Sequence, residues 1–207
     1  MLKFLITGFK PYLKHSFNSS EELVKLLSSQ RKTIEKEFKI KLYTLTLKVS
    51  YRDCEKRFLR KFQKIKPDIV LSFGMSSKTR KVKIERIALN IDDSELPDVD
   101  GEVRKGKKIV KDGPAAYFAT IPVEKLHEEL VEAKIPSIIS NHPGTYVCNH
   151  LFYYGLYTIE KLERETKMGF IHLPKFRKFG KNTLELLMKT GKICIKVCGK
   201  NFKQNFP

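Results

Sequence analysis

Tryptophan is missing from this chain and cysteine is scarce, with four residues (54, 148, 194 and 198) in 207. None of them lies in a CxxC pair, and a chain of this length has no need of a disulfide framework, so the cysteines point to neither a zinc ribbon nor a secreted scaffold. Long apolar runs are lacking too, and no stretch approaches the ~20 residues that cross a bilayer. The apolar start Leu2–Ile6 is too short for a signal-peptide core and is soon interrupted by Lys10-Pro11. Acidic side chains are in short supply, 23 against 41 Lys plus Arg, for a net charge of +18. That excess would suit a polyanion, but the basic residues are scattered: Lys10, Lys14, Arg31-Lys32, Lys78 to Lys83, Lys105 to Lys111, Lys175 to Lys181 and Lys196 to Lys203. No single stripe interleaved with aromatics emerges, so the expectation is a solvated basic surface with non-specific polyanion binding, no specific nucleic-acid partner and no membrane. No repeat or break in composition divides the chain, which predicts one cytoplasmic domain over residues 1–207.

What is present is an alternation of strand and helix signals. Strands are expected at 2–7, 40–49, 69–73 ending at Gly74, 82–89, 137–139 and 169–173. Helices are expected after Ser19 or Ser20, which would cap Leu23, Leu26 and Leu27, around Cys54, Phe58 and Phe62, from Pro122, and after Cys148. The C-terminal run Ile193–Cys198 alternates in part like a strand, but its apolar or small positions 184, 187, 188, 191, 194, 195 and 198 have helical spacing. Cys194 and Cys198 then share one face, as packing residues or as partners of a neighbouring subunit. Residues 90–114 read as a long loop, rich in Gly, Asp and Pro, of a length that is usually functional or mobile. The pattern predicts the α/β class: a three-layer α/β/α sandwich around a mixed, mostly parallel sheet.

The stretch Ser140–His150, SNHPGTYVCNH, places Cys148 in the first turn of a helix, where unpaired backbone N–H groups and the positive dipole end favour a thiolate. Cys148 is therefore a candidate nucleophile; the plainer reading is a small apolar packing residue. A thiol nucleophile needs a base and a group that orients the base. Of the five histidines, His150 follows Cys148 by two positions and points away around the helix, His142 lies in the loop, His127 in a polar helix and His15 in a turn-rich stretch. His172 ends an apolar strand, where open α/β sheets place active-site groups, although a core histidine would look the same. Glu85 interrupts the apolar segment Ile84–Leu89 and must find a partner, either a base or a plain ion pair such as Arg86. A metal set of His142, Cys148 and His150 has no common zinc spacing, and no cofactor motif is present.

Four stretches in order, TGFKPY (7–12), KIERIALN (83–90), SNHPGTYVCNH (140–150) and GFIHLP (169–174), resemble the pyroglutamyl peptidase I family, also called pyrrolidone carboxyl peptidase. The resemblance implies a cysteine exopeptidase that removes N-terminal pyroglutamate through a thiol-acyl intermediate, without metal or cofactor. It implies Cys148 as nucleophile, His172 as general base then acid, and Glu85 as the residue orienting the histidine. Phe9 and Tyr12 match the aromatic pair that flanks the pyroglutamyl ring, Tyr12 standing where phenylalanine is usual, and Val147 joins them at the substrate. The family is often tetrameric, which implies a homo-oligomer, tetramer or dimer, and an interface role for the Cys194/Cys198 face. Three departures are visible. Gly74-Met75-Ser76-Ser77-Lys78-Thr79-Arg80 replaces a Gly-rich run ending in Gly-Gly-Arg, Pro143 stands where a small residue such as alanine is common, and Glu95 where some relatives have arginine. The competing classes are a basic nucleic-acid-binding protein on an inactive peptidase scaffold and a thiol amidohydrolase for another small acyl group.

Overall fold

The computed structural model describes residues 1–13, 15–77, 79–176 and 178–205; Lys14, Lys78 and Arg177 of the basic runs lie outside the described residues. In chain order the elements are β1 (Leu2–Phe9), α1 (Ser19–Ser29), α2 (Arg31–Phe38), β2 (Ile40–Leu47), α3 (Tyr51–Ile65), β3 (Ile69–Ser76), β4 (Val82–Glu85) and β5 (Ile87–Leu89). There follow β6 (Asp92–Ser94), β7 (Arg104–Lys107), β8 (Ala116–Phe118), α4 (Val123–Glu132), β9 (Ser137–Ser140), α5 (Val147–Lys161), β10 (Lys167–Pro174) and α6 (Lys181–Asn205).

Six strands form the central sheet in the order β2-β1-β3-β10-β4-β9, every neighbouring pair parallel except β10 with β4. Its strands read as nearly continuous apolar runs because both faces are covered. Alternate residues go to opposite sides: Phe4 and Ile6 of β1 pack with Leu23, Leu27 and Ile195 on one side, and Leu5 packs with Phe58, Phe62 and Phe152 on the other. Helices α1, α2, α4 and α6 cover the first face and α3 and α5 the second. The protein is thus an α/β sandwich around a mixed, mostly parallel sheet, as the alternation of signals predicts.

Several boundaries differ from the sequence expectation. The cap of α1 is Asn18, whose side chain accepts from the Ser20 N–H, rather than Ser19 or Ser20. Ser20 instead receives the Phe9 N–H on its Oγ, which ties the end of β1 to the helix start. Strand β3 runs on through Gly74 to Ser76, because β10 pairs with it as far as Pro174. The segment 82–89 breaks at Arg86, whose N–H and C=O bond Ser140 and Ala119, so β5 leaves the main sheet and pairs antiparallel with β8. The expected loop 90–114 holds a two-stranded ladder of β6 and β7. Cys194 and Cys198 lie 0% and 2% exposed in the core; this corrects the interface role, since α6 turns both thiols inward against the sheet.

Candidate active site

Cys148 is the second residue of α5. The N-cap of that helix, Tyr146, is extended and makes no side-chain capping bond. The first-turn N–H groups are therefore not engaged by a side-chain cap and form a site suited to negative charge. Cys148 alone of the four cysteines is partly exposed.

β10 carries His172 and β4 carries Glu85. In their antiparallel register His172 stands opposite Lys83 and Glu85 opposite Phe170, so His172 and Glu85 are diagonal neighbours on one face. Nδ1 of His172 is 2.8 Å from Oε1 of Glu85, and Cys148 lies near enough to the imidazole to act on its charge. With Nδ1 engaged by the carboxylate, Nε2 is left for the sulfur. Burial pushes the His172 proton off, but Cys148 and Glu85 together outweigh it and raise its pKa to about 9. Burial likewise works against the Glu85 carboxylate, yet His172, Ser140 and Lys83 hold it below its ordinary range. Glu85 is fully buried; Lys83 lies 4.0 Å away, while Arg86 pairs with Glu124 instead.

The His172 ring rests on Gly74, its register partner on β3, and against Phe170 with centroids 5.0 Å apart. A Cβ at Gly74 would come within 2.9 Å of His172 Cδ2 and 3.0 Å of Nε2. Only glycine leaves room for the ring where it stands.

Beside Cys148 a cavity of about 240 Å³ opens, smaller than the ~300–1,000 Å³ of most small-molecule pockets. Its wall includes Phe9, Tyr12, Leu96, Met75 and Tyr146. The hydroxyls of Tyr12 and Tyr146 both donate to the carbonyl of Pro97, which fixes the two rings relative to each other. Phe9 and Tyr12 thus reach the cavity, and the altered segment enters it through Met75 and Ser77. Val147 does not: its side chain is fully buried among Leu151, Phe152 and Phe170, so contact with a ligand would have to come from its backbone.

The remaining histidines stand elsewhere, apart from His15 on the cavity wall. His127 pairs with Ser137, and His142 accepts from the Gly144 N–H. His150 faces away from Cys148 and enters a buried cluster with Asp92 and Glu55. Among the described residues no three His, Cys, Asp or Glu side chains gather as a metal set. Gly74 and Tyr146 carried no sequence signal beyond a strand end and a helix approach; only the register and the loop path bring them to the site.

An α/β sandwich that brings a cysteine, a histidine and a histidine-bound carboxylate together beside one cavity has the make-up of an enzyme of the hydrolase class. The family model for pyroglutamyl peptidase matches residues 2–185. The chain is 42% identical to a pyrrolidone-carboxylate peptidase of Thermosipho africanus over 84% of this chain and 82% of that protein. It is 39% identical to one of Fusobacterium nucleatum, over 84% and 78%. Among solved structures, pyrrolidone carboxyl peptidase from Thermococcus litoralis superposes with TM-score 0.89 at 34% identity, covering 99% of this chain and 96% of that one. Pyroglutamyl peptidase I of Bacillus amyloliquefaciens superposes with TM-score 0.87 at 28% identity, covering 97% and 98%. The chain belongs to the pyroglutamyl peptidase family.

Proposed function

We propose that the protein removes N-terminal pyroglutamate from peptides through a covalent thioester on Cys148. The observation that carries this reading is the alignment Cys148–His172–Glu85 at the edge of a small cavity containing Phe9 and Tyr12. The thiolate of Cys148 attacks the pyroglutamyl carbonyl carbon, and the developing oxyanion is met by the backbone N–H at the start of α5. His172 then gives its proton to the departing amine as the C–N bond breaks, leaving the acyl group on sulfur. In the second half His172 takes a proton from water; the resulting hydroxide attacks the thioester and the thiolate leaves. Glu85 holds the imidazole by Nδ1 throughout, so that Nε2 faces the sulfur. The flat lactam lies against Phe9 and Tyr12, a stacking arrangement suited to a ring without charge.

This reading takes the chain as one domain working in the cytoplasm, as a homo-oligomer. Among the described residues no helix is long and apolar enough to cross a membrane. The test is release of a fluorescent amine from its pyroglutamyl amide by the purified protein. Turnover is expected with wild type and should disappear in Cys148→Ser. The wall residues Met75 and Ser77 support a second reading, a thiol amidohydrolase for another small acyl group. A panel of N-acylated amides separates the two, and preference for a different acyl group would replace the first reading with the second.

A further inference from the structure

We infer that His150 is a positioning residue: gripped between Asp92 and Glu55, it fastens the 91–107 segment, which walls the substrate cavity, to the helix that carries Cys148. This rests on the proposed pyroglutamyl reading only for the identity of the ligand. His150 is fully buried. Its Nδ1 lies 2.8 Å from Oδ2 of Asp92 in β6, and its Nε2 lies 3.1 Å from Oε1 of Glu55 in α3, the latter an ion-pair contact rather than an aligned hydrogen bond. A neutral imidazole has one N–H, so serving both carboxylates takes the imidazolium. Burial opposes that charge, and the two carboxylates outweigh burial.

The same Asp92 oxygen accepts from Arg104 Nη1 at 2.8 Å, and Arg104 continues to Glu102 at 2.8 Å. The other oxygen of Asp92 is buried without a hydrogen-bond partner among the described residues, so this carboxylate depends on the two cations. Tyr51 closes the cluster, edge-on to His150 at 5.2 Å and under Arg104 at 4.2 Å, and Tyr154 lies parallel to the imidazole on its own helix.

From this cluster the chain runs directly to the cavity. Two residues beyond β6, Leu96 lines it, and the Pro97 carbonyl accepts from both Tyr12 and Tyr146. The grip of His150 on Asp92 therefore sets where the aromatic wall stands relative to Cys148, which the first turn of α5 itself presents, while β10 and β4 hold His172 and Glu85. The consequence is a separation of effects: losing the grip should weaken ligand binding and leave the chemistry nearly intact.

His150→Gln keeps a polar amide but no charge. Its KM for a pyroglutamyl amide is expected to rise on the order of tenfold, with kcat and the rate of Cys148 alkylation by iodoacetamide unchanged within about twofold. Amide hydrogen exchange in residues 91–107 should become faster. The double variant Asp92→Asn/His150→Gln, which removes both charges of the aligned pair, should cost less than the sum of the single changes. An unchanged KM together with unchanged exchange overturns the inference, as do strictly additive losses. Equal falls in kcat and alkylation also overturn it, placing the effect at the nucleophile. Should His150→Gln fold poorly, Glu55→Gln, on the half-exposed side of the cluster, is expected to give a smaller rise in KM and faster exchange in the same segment; no change in either overturns the proposal. If wild type turns over no pyroglutamyl amide, the functional reading fails, and hydrogen exchange alone then decides the clamp.

Discussion

Burial by itself would strip the proton from His172; the side chains around it reverse that outcome. The imidazole lies between a buried carboxylate and a thiol, and their combined pull raises its pKa to about 9. In the proposed mechanism this imidazolium is the acid that protonates the leaving amine, so kcat/KM should decline as pH rises through about 9. Replacing Glu85 by glutamine removes one of the groups that raise the pKa, so the alkaline limb should move to lower pH; a pH profile of both proteins checks this. Stability carries the same signature. The raised pKa of His172 gives a contribution fully present below pH 6.5 and lost as pH rises through about 9. The lowered pKa of Glu85 gives one present above pH 4.5 and lost as pH falls through its depressed value. Both are complete between pH 4.5 and 6.5, where unfolding midpoints in denaturant should show no net change from this pair.

At the scale of elements, three strands of the sheet meet to build the His172–Glu85 bridge that the proposed mechanism uses. β10 supplies the imidazole, β4 the carboxylate across an antiparallel register, and β3 the glycine floor. The side chain missing from Gly74 matters as much as those that are present. Gly74→Ala would set a methyl within 3.0 Å of the His172 and Phe170 rings, so one of them must shift. The expected result is a loss on the order of 10²-fold in kcat/KM with a folded circular-dichroism spectrum, because the proton path shifts while the sheet survives. Steady-state kinetics beside a thermal melt distinguish this from simple unfolding. Helix α5 contributes in a different way. Its first turn presents Cys148, and Asn149 next to it bonds the backbone of Leu89 and Ile91 through both ends of its amide. The helix of Cys148 is thereby anchored to the strand that leads into the cavity wall.

At the scale of the whole molecule, no Lys or Arg is buried in the core among the described residues; the two fully buried carboxylates, Glu85 and Asp92, each face a buried histidine. These two carboxylates are matched by cations, whereas the buried Asp98 is satisfied by the backbone N–H groups of Tyr51, Asp100 and Glu102. The C-terminal helix covers the sheet with Cys194 and Cys198 pointing into the core, where burial pushes the Cys194 thiol up to about 12 and the Cys198 thiol well above its ordinary value. Such thiols are poor nucleophiles and poor partners for a second subunit. Changing either to serine should lower stability by about 1–3 kcal/mol through burial of a hydroxyl and leave the number of subunits unchanged. Denaturant unfolding and light scattering, each with and without reductant, check both parts.

The sequence by itself determined most of the order of strands and helices, because apolar periods of two and of 3.6 are local properties, but it did not mark α2, β6 or β7. It also singled out Cys148, His172 and Glu85: a cysteine at a helix start, a histidine in an apolar strand and a carboxylate among isoleucines each violate their local surroundings. The tertiary structure decided what depends on register and chain path. Whether 82–89 was one strand or two turned on Arg86 bonding Ser140 and Ala119, residues distant in sequence. The family resemblance places Val147 at the substrate, but its side chain turns into the core, since adjacent helical residues point about 100° apart. Gly74, Tyr146 and the His150–Asp92–Glu55 cluster acquire meaning only when strands pair and loops close. A missing Cβ or a buried charge has no effect until another part of the chain is folded against it.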